Sequence, residues 1–121
     1  MTPITEVNQQ YVNKVAKYVY SRLSGKTKLE FRRNEAVIHM YMYYHTGQKS
    51  DPISEMHFTI NFVCYAGKIR VNVIDMSEYE YTVCHMTVDA TGKTLEDIRT
   101  EIMSKINKAI QKEYSAYDLI Y

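Results

Sequence analysis

Apolar and polar residues alternate along the middle of this 121-residue chain. Between Lys28 and Val88 the apolar side chains recur at every second position, which is the period of a β-strand with one buried face. The longest such run covers 56–64, and shorter runs cover 36–43 and 69–74. A chain with this pattern has to bury one face of an antiparallel sheet.

A hairpin centred on Ala66-Gly67 tests the strand register internally. If these two residues form the loop, Tyr65 pairs with Lys68. The next apolar pairs are then Cys64 with Ile69, Phe62 with Val71, and Ile60 with Val73. All of these apolar side chains fall on one face, whereas a slip of one residue would divide them between two faces. The agreement predicts an antiparallel hairpin.

A second turn extends this hairpin to a three-stranded meander. With the loop at 77–78, Cys84 falls opposite Val71 and Met86 falls opposite Ile69. These pairs lie on the same apolar face, so the three predicted strands share one buried side.

Amphipathic helices flank the strands. The first is predicted from about Thr5 to Ser24, where apolar residues recur at helical spacing before Gly25. The second begins at the Thr-Leu-Glu-Asp sequence at 94–97, which resembles a capping box, and runs to about Tyr114. The tail at 115–121 keeps enough apolar residues to dock on the domain.

The order of helix, strands and helix predicts an α+β fold in a single domain over 1–121. The economical arrangement is a two-layer sandwich, in which an antiparallel meander of four or five strands carries both helices on one face. Residues 28–33 are either the fifth strand or the approach to the first one. The other face of the sheet, which we call the open face, is expected to remain uncovered.

The open face is predicted to be rich in tyrosine. The chain has 12 tyrosines, 3 phenylalanines and no tryptophan, and tyrosine suits interfaces because it combines an apolar ring with a polar hydroxyl. The candidate interaction residues are Tyr41, Tyr43, Val63, Tyr65, Arg70 and Tyr81. We therefore expect a non-enzymatic protein-interaction or binding module, with a protein partner or a homodimer formed through this face or through a sheet edge.

A nucleic-acid-binding saddle is the alternative interpretation. It would use the same tyrosines together with the basic residues Arg70, Lys28, Arg32 and Arg33. A net charge of +1 and the lack of an RNP1-like string of residues argue against it. A small enzyme of unidentified type is the third interpretation, and we assign it no catalytic residue.

Motifs for nucleotide and metal chemistry are incomplete. Gly92-Lys93-Thr94 matches the end of a phosphate-binding loop, but Thr87 stands where that loop needs its first glycine. In the predicted register His57 and His85 lie roughly 20 Å apart along the strands, too far to share a metal. We therefore expect no nucleotide, no metal and no other cofactor.

Nucleophilic and acidic groups also lack catalytic partners in the sequence. Cys64 and Cys84 face the predicted core roughly 10 Å apart, beyond the ~7 Å limit for a disulfide, and are expected to be free thiols. The carboxylates Asp75, Glu78 and Glu80 gather around one turn, where solvated side chains are expected.

No segment of the sequence predicts a membrane span or a signal peptide. No apolar stretch approaches the ~18 uncharged residues of a span. The start, Met1-Thr2-Pro3, lacks a basic segment followed by an apolar one. The chain as given is expected to be soluble, and no motif identifies its compartment.

The helix sequence Val15-Ala16-Lys17-Tyr18-Val19 and the hairpin from Phe58 through Gly67 to Val71 resemble an uncharacterised bacterial family. That family is described as a domain of unknown function with a TATA-binding-protein-like fold, and the resemblance covers most of the chain. Tyr18 stands where family members often carry tryptophan. The resemblance implies the fold and an exported protein, in which case the chain is a processed form with an added Met1 or a divergent member. It implies no catalytic residue.

Overall fold

Two helices and six strands make up the computed structural model, which describes residues 7–23, 25–76, 80–114 and 118–119. In chain order they are α1 (Gln9–Arg22), β1 (Lys26–Phe31), β2 (Ala36–His45), β3 (Ile53–Tyr65), β4 (Lys68–Asp75), β5 (Tyr81–Val88), α2 (Leu95–Tyr114) and β6 (Asp118–Leu119).

The strands β1 to β5 follow one another in space as they do in sequence, each antiparallel to the next. The short strand β6 pairs with the end of β2, where Leu119 lies opposite Tyr44. The predicted α+β sandwich with an antiparallel meander is confirmed, and β1 is its fifth strand. The tail docks on the sheet at 118–119, as expected.

Both helices pack on one face of the sheet. The buried helix residues are Val12, Val15, Ala16 and Val19 in α1, and Ile98, Ile102, Ile106 and Ile110 in α2. They form one core cluster with alternate side chains of the strands, among them Phe58, Ile60 and Phe62. Each apolar side chain buried in this way contributes about 1.5–3 kcal/mol, which holds the two layers together.

Helix α1 begins later than the periodicity predicts. The side chain of Asn8 accepts a hydrogen bond from the backbone N–H of Tyr11 at 2.9 Å, and this N-cap starts the helix at Gln9. The predicted limits Thr5 and Ser24 lie outside the described residues.

Helix α2 has the predicted capping box. The hydroxyl of Thr94 accepts from the N–H of Asp97 at 3.2 Å, and the Asp97 carboxylate accepts from the N–H of Thr94 at 3.3 Å. Two backbone donors at the helix start are thereby satisfied reciprocally. The helix ends at Tyr114, as predicted.

The β3–β4 hairpin has the predicted register. Tyr65 pairs with Lys68, and the apolar pairs are Cys64 with Ile69, Phe62 with Val71, and Ile60 with Val73. Both loop residues have positive φ, 52° at Ala66 and 73° at Gly67, as a type I′ turn requires. The twist of this turn matches the twist of the strands, so the loop fixes the pairing.

The β4–β5 register differs from the prediction by two residues. Met86 lies opposite Val71, and Cys84 lies opposite Val73. The sequence predicts Cys84 opposite Val71 and Met86 opposite Ile69, so that part of the prediction is wrong.

Two separate one-residue shifts produce this offset. Asp75 pairs with Tyr81, one residue later than a two-residue turn at 77–78 would give, and those turn residues lie outside the described ones. The second shift is an irregularity of the ladder between Val73 and Ile74. One shift alone would turn the apolar side chains of β5 outward, whereas two restore them to the core face.

Both cysteines are free thiols that pack, half-buried, against the core cluster, as predicted. Cys64 lies opposite Ile69 and Cys84 lies opposite Val73. The corrected register therefore places the two cysteines four positions apart along β4, which is further from disulfide geometry than the sequence suggests.

Ala66, in the turn between β3 and β4, has a strained backbone conformation that a substitution can relieve. Ala66 is the one residue other than glycine with positive φ in the described part of the chain, and Asn adopts that region at lower cost. We expect Ala66→Asn to raise the free energy of unfolding by about 0.5–1 kcal/mol and Gly67→Ala to lower it by about 1 kcal/mol. Urea unfolding measures both changes. Nothing lies within 4 Å of a Cβ at position 67, so backbone conformation alone sets the second effect, and the same sign for both variants would contradict a type I′ turn.

Candidate interaction face

A recess lies in the open face of the sheet, and we call it the sheet cavity. Its volume is about 260 Å³, and its lining residues are Arg32, Val37, His39, His57, Thr59, Asn61, Ile74, Met76 and Glu80. Val37 and Thr59 are only 2% and 7% exposed. Val37 is not a member of the core cluster, so neighbours on the open face itself bury it. The open face is therefore concave at its centre.

Three rings pack against one another at the sheet cavity, and we call Tyr41, His57 and His39 the ring stack. Tyr41 and His57 are directly opposite in β2 and β3, with ring centroids 4.5 Å apart and planes inclined by 12°. The centroid of His39 lies 5.6 Å from that of His57, and His39 Nδ1 lies 3.4 Å from His57 Nε2. The ammonium of Lys26 lies 5.5 Å from the centre of the Tyr41 ring. Cross-strand and diagonal neighbours of this kind stabilise one another and hold their rings in fixed orientations.

The β1–β2 hairpin places a guanidinium at the rim of the sheet cavity. Arg32 donates to Glu30 at 2.6 Å and to Glu35 at 2.9 Å. The second carboxylate oxygen of Glu35 accepts from the side-chain amide of Asn61 at 3.5 Å. These contacts connect the hairpin to β3 and pair the guanidinium with two carboxylates.

The surroundings of these groups alter two pKa values. Burial, and secondarily the charge of His39, lower the pKa of His57. The hydrogen bond from Arg32 lowers the pKa of Glu30. At neutral pH the sheet cavity is therefore bordered by a neutral His57 ring and an ionised Glu30.

Five of the six predicted interaction residues lie in two groups at opposite ends of the open face. Tyr41 and Tyr43 lie on β2 opposite His57 and Glu55. Tyr81 begins β5, and the described part of the structure extends only to its backbone. For Tyr41 and Tyr43 the register agrees with the predicted open face, and the sheet cavity separates them from the hairpin residues. For Tyr81 the prediction is wrong. The one-residue shift at the turn pairs Tyr81 with Asp75, which is opposite the core residue Phe58, so position 81 has the parity of the helix-covered face.

The second group lies beside the β3–β4 loop. Val63 is opposite Arg70, and the guanidinium carbon of Arg70 lies 3.9 Å from the centre of the Tyr65 ring. Tyr65 is 55% exposed, the most exposed large hydrophobic residue among the described side chains. Tyr65 lies eight positions after His57 in β3, which corresponds to about 26 Å along the strand.

The sequence does not predict the contact between His39 and His57. Both residues have the parity of the open face, but the offset between β2 and β3 depends on the connection at 46–52. That segment is too long for a two-residue turn, so the sequence does not fix which residues of the two strands are opposite. The parity of the two histidines is the one signal that indicated a shared face.

The described residues contain no helix that is both long enough and apolar enough to cross a membrane. Within the same part of the chain, no three His, Cys, Asp or Glu side chains converge as a metal-binding group.

Comparison with known proteins gives no relative for this arrangement. No family model, no curated protein and no solved structure matches the chain. The resemblance to the bacterial family with a TATA-binding-protein-like fold therefore stays a prediction, and the function has to be argued from the open face itself.

Proposed function

We propose that this chain is a non-enzymatic protein-interaction module and that the concave open face is its recognition surface. The observation that carries the proposal is the burial of Val37, 2% exposed, on the face that the helices do not cover. A surface that is already shaped binds a partner at a low cost in conformational entropy.

The chemistry of the face is that of a protein interface. The lining of the sheet cavity combines the apolar side chains of Val37, Ile74 and Met76 with the ring stack and with charged groups at the rim. Protein interfaces combine apolar anchors with a polar border in the same way. The side-chain oxygen of Asn61 is buried without a hydrogen-bond partner among the described residues. It can accept a hydrogen bond from a donor that enters the sheet cavity.

The contacts of Arg32 favour a protein partner over a nucleic acid. Arg32 is paired with Glu30 and Glu35, and the two carboxylates beside it disfavour the approach of a phosphate. Over the whole chain, 15 Lys and Arg are nearly balanced by 14 Asp and Glu. Nucleic-acid binding depends on an excess of positive charge that this chain lacks.

The partner that we name is a second copy of the chain, bound through the same face by a two-fold axis. We expect the wild type to be a dimer by light scattering and Tyr41→Ser/Tyr65→Ser to be a folded monomer. Truncating an aromatic anchor of an interface costs about 2 kcal/mol or more, so losing one tyrosine on each side of the sheet cavity is expected to separate the copies.

Phe31→Ser is the matched control for this experiment. Phe31 is 49% exposed but lies opposite Ala36, on the side of the sheet that carries the helices. This variant is expected to remain a dimer. A monomeric wild type, or a dimer that survives the double tyrosine change, would contradict self-association through the open face.

A further inference from the structure

Two histidines face each other across β2 and β3 with the separation of metal ligands. His39 Nδ1 lies 3.4 Å from His57 Nε2. Two nitrogens bound tetrahedrally to one zinc ion, with bonds of about 2.0–2.1 Å, are themselves about 3.3–3.4 Å apart. From this geometry we infer that His39 and His57 form a two-histidine site for a divalent transition metal with tetrahedral preference, of which Zn²⁺ is the representative.

The surroundings hold both rings in the orientation that such a site needs. His39 directs Nδ1 towards His57, and its other ring nitrogen, Nε2, lies 3.9 Å from a carboxylate oxygen of Glu30. A carboxylate behind a ligating histidine fixes the ring and raises its basicity. The ring of Tyr41 stacks on that of His57, with the two ring centroids 4.5 Å apart. Glu30 therefore lies beside the ring of His39, and Tyr41 packs against the ring of His57.

The site opens into the sheet cavity. Both histidines line that cavity, and His39 is 20% exposed, so a metal ion and further ligands can reach them. No third ligand of the usual types converges there among the described residues. The remaining coordination positions would be taken by water or by a donor from outside the chain, as in metal sites that keep open positions. Imidazole ligands suit Zn²⁺, Ni²⁺ and Cu²⁺ rather than Mg²⁺ or Ca²⁺.

The test is titration of the tag-free protein with Zn²⁺ by isothermal calorimetry, with Mg²⁺ as the negative control. We expect one Zn²⁺ per chain and no heat of binding from Mg²⁺. His39→Gln and His57→Gln are each expected to weaken Zn²⁺ binding by about tenfold or more, and Glu30→Gln by a smaller factor. His45→Gln and His85→Gln are the matched controls, because these histidines lie elsewhere in β2 and β5, and they should leave the affinity unchanged.

A second measurement separates metal binding from loss of structure. Zn²⁺ that binds the folded chain raises its midpoint of thermal unfolding, and we expect that rise in the wild type and in both control variants but not in His39→Gln or His57→Gln. Co²⁺ should give the visible absorption bands of a tetrahedral site in the wild type. His39→Gln and His57→Gln should lack these bands. The inference is overturned if wild-type protein does not bind Zn²⁺, or if the two control variants lose binding as strongly as the two ligand variants. In either case the contact between His39 and His57 is a hydrogen bond between the two rings.

Discussion

Replacement of Phe62 by alanine is expected to lower the free energy of unfolding by about 3–5 kcal/mol. Phe62 is fully buried at the centre of the sheet, opposite Ala36 in β2 and Val71 in β4. Its ring belongs to the core cluster that the helices cover, so the variant loses apolar burial and leaves a cavity that the packed layers cannot close. Domains of this size are stable by about 5–15 kcal/mol, so the loss is a large part of the total. Urea unfolding followed by circular dichroism measures it.

The matched control is the same change at the edge of the sheet. Phe31 lies on β1 and is 49% exposed, so Phe31→Ala is expected to cost about 1 kcal/mol or less. Equal losses for the two variants would mean that Phe62 does not lie between the sheet and the helices. A large difference confirms that the layer on this side of the sheet supplies the core.

The sequence was sufficient to predict the register where a loop has two residues and insufficient where it does not. The Ala66-Gly67 loop leaves one pairing that keeps all apolar side chains on one face, and the structure has that pairing. On the other side of β4, the longer connection and the irregularity after Val73 each add one residue. Because the side-chain period is two, the two added residues together leave Cys84 and Met86 on the core face. The alternation in the sequence is therefore the same with or without them.

The same limit explains why the sequence does not predict the ring stack or the sheet cavity. Period-two parity placed Tyr41 and Tyr65 correctly on one side of the strands, but parity carries no information on distance along them. Proximity in the open face depends on the offset between β2 and β3, which the seven-residue connection at 46–52 sets. The ring stack and the sheet cavity can therefore be recognised only in the folded structure, whereas the sequence is sufficient to predict the α+β class and the meander.

Adjacent substitutions at positions 37 and 38 are expected to have very different effects, although both side chains are buried. Ile38 is fully buried in the core cluster, and Val37 is 2% exposed in the sheet cavity on the other face. For Ile38→Asp we expect a loss of about 5 kcal/mol or more, because the carboxylate would lie unpaired beneath the helices in addition to the lost apolar burial. For Val37→Asp we expect about 1–3 kcal/mol and a folded protein.

The difference follows from what covers each side chain. A carboxylate at 37 reaches a cavity that opens to solvent and has the guanidinium of Arg32 in its lining, so its charge can be hydrated and partly compensated. A carboxylate at 38 would lie fully buried in the core cluster beneath the helices. Thermal unfolding of the two variants distinguishes these environments directly. If Val37→Asp unfolds as completely as Ile38→Asp, the open face is a second core and cannot receive a partner. If Val37→Asp folds but no longer dimerises, the sheet cavity is the centre of the interface. In that case a charge in the cavity disrupts binding without disrupting the fold.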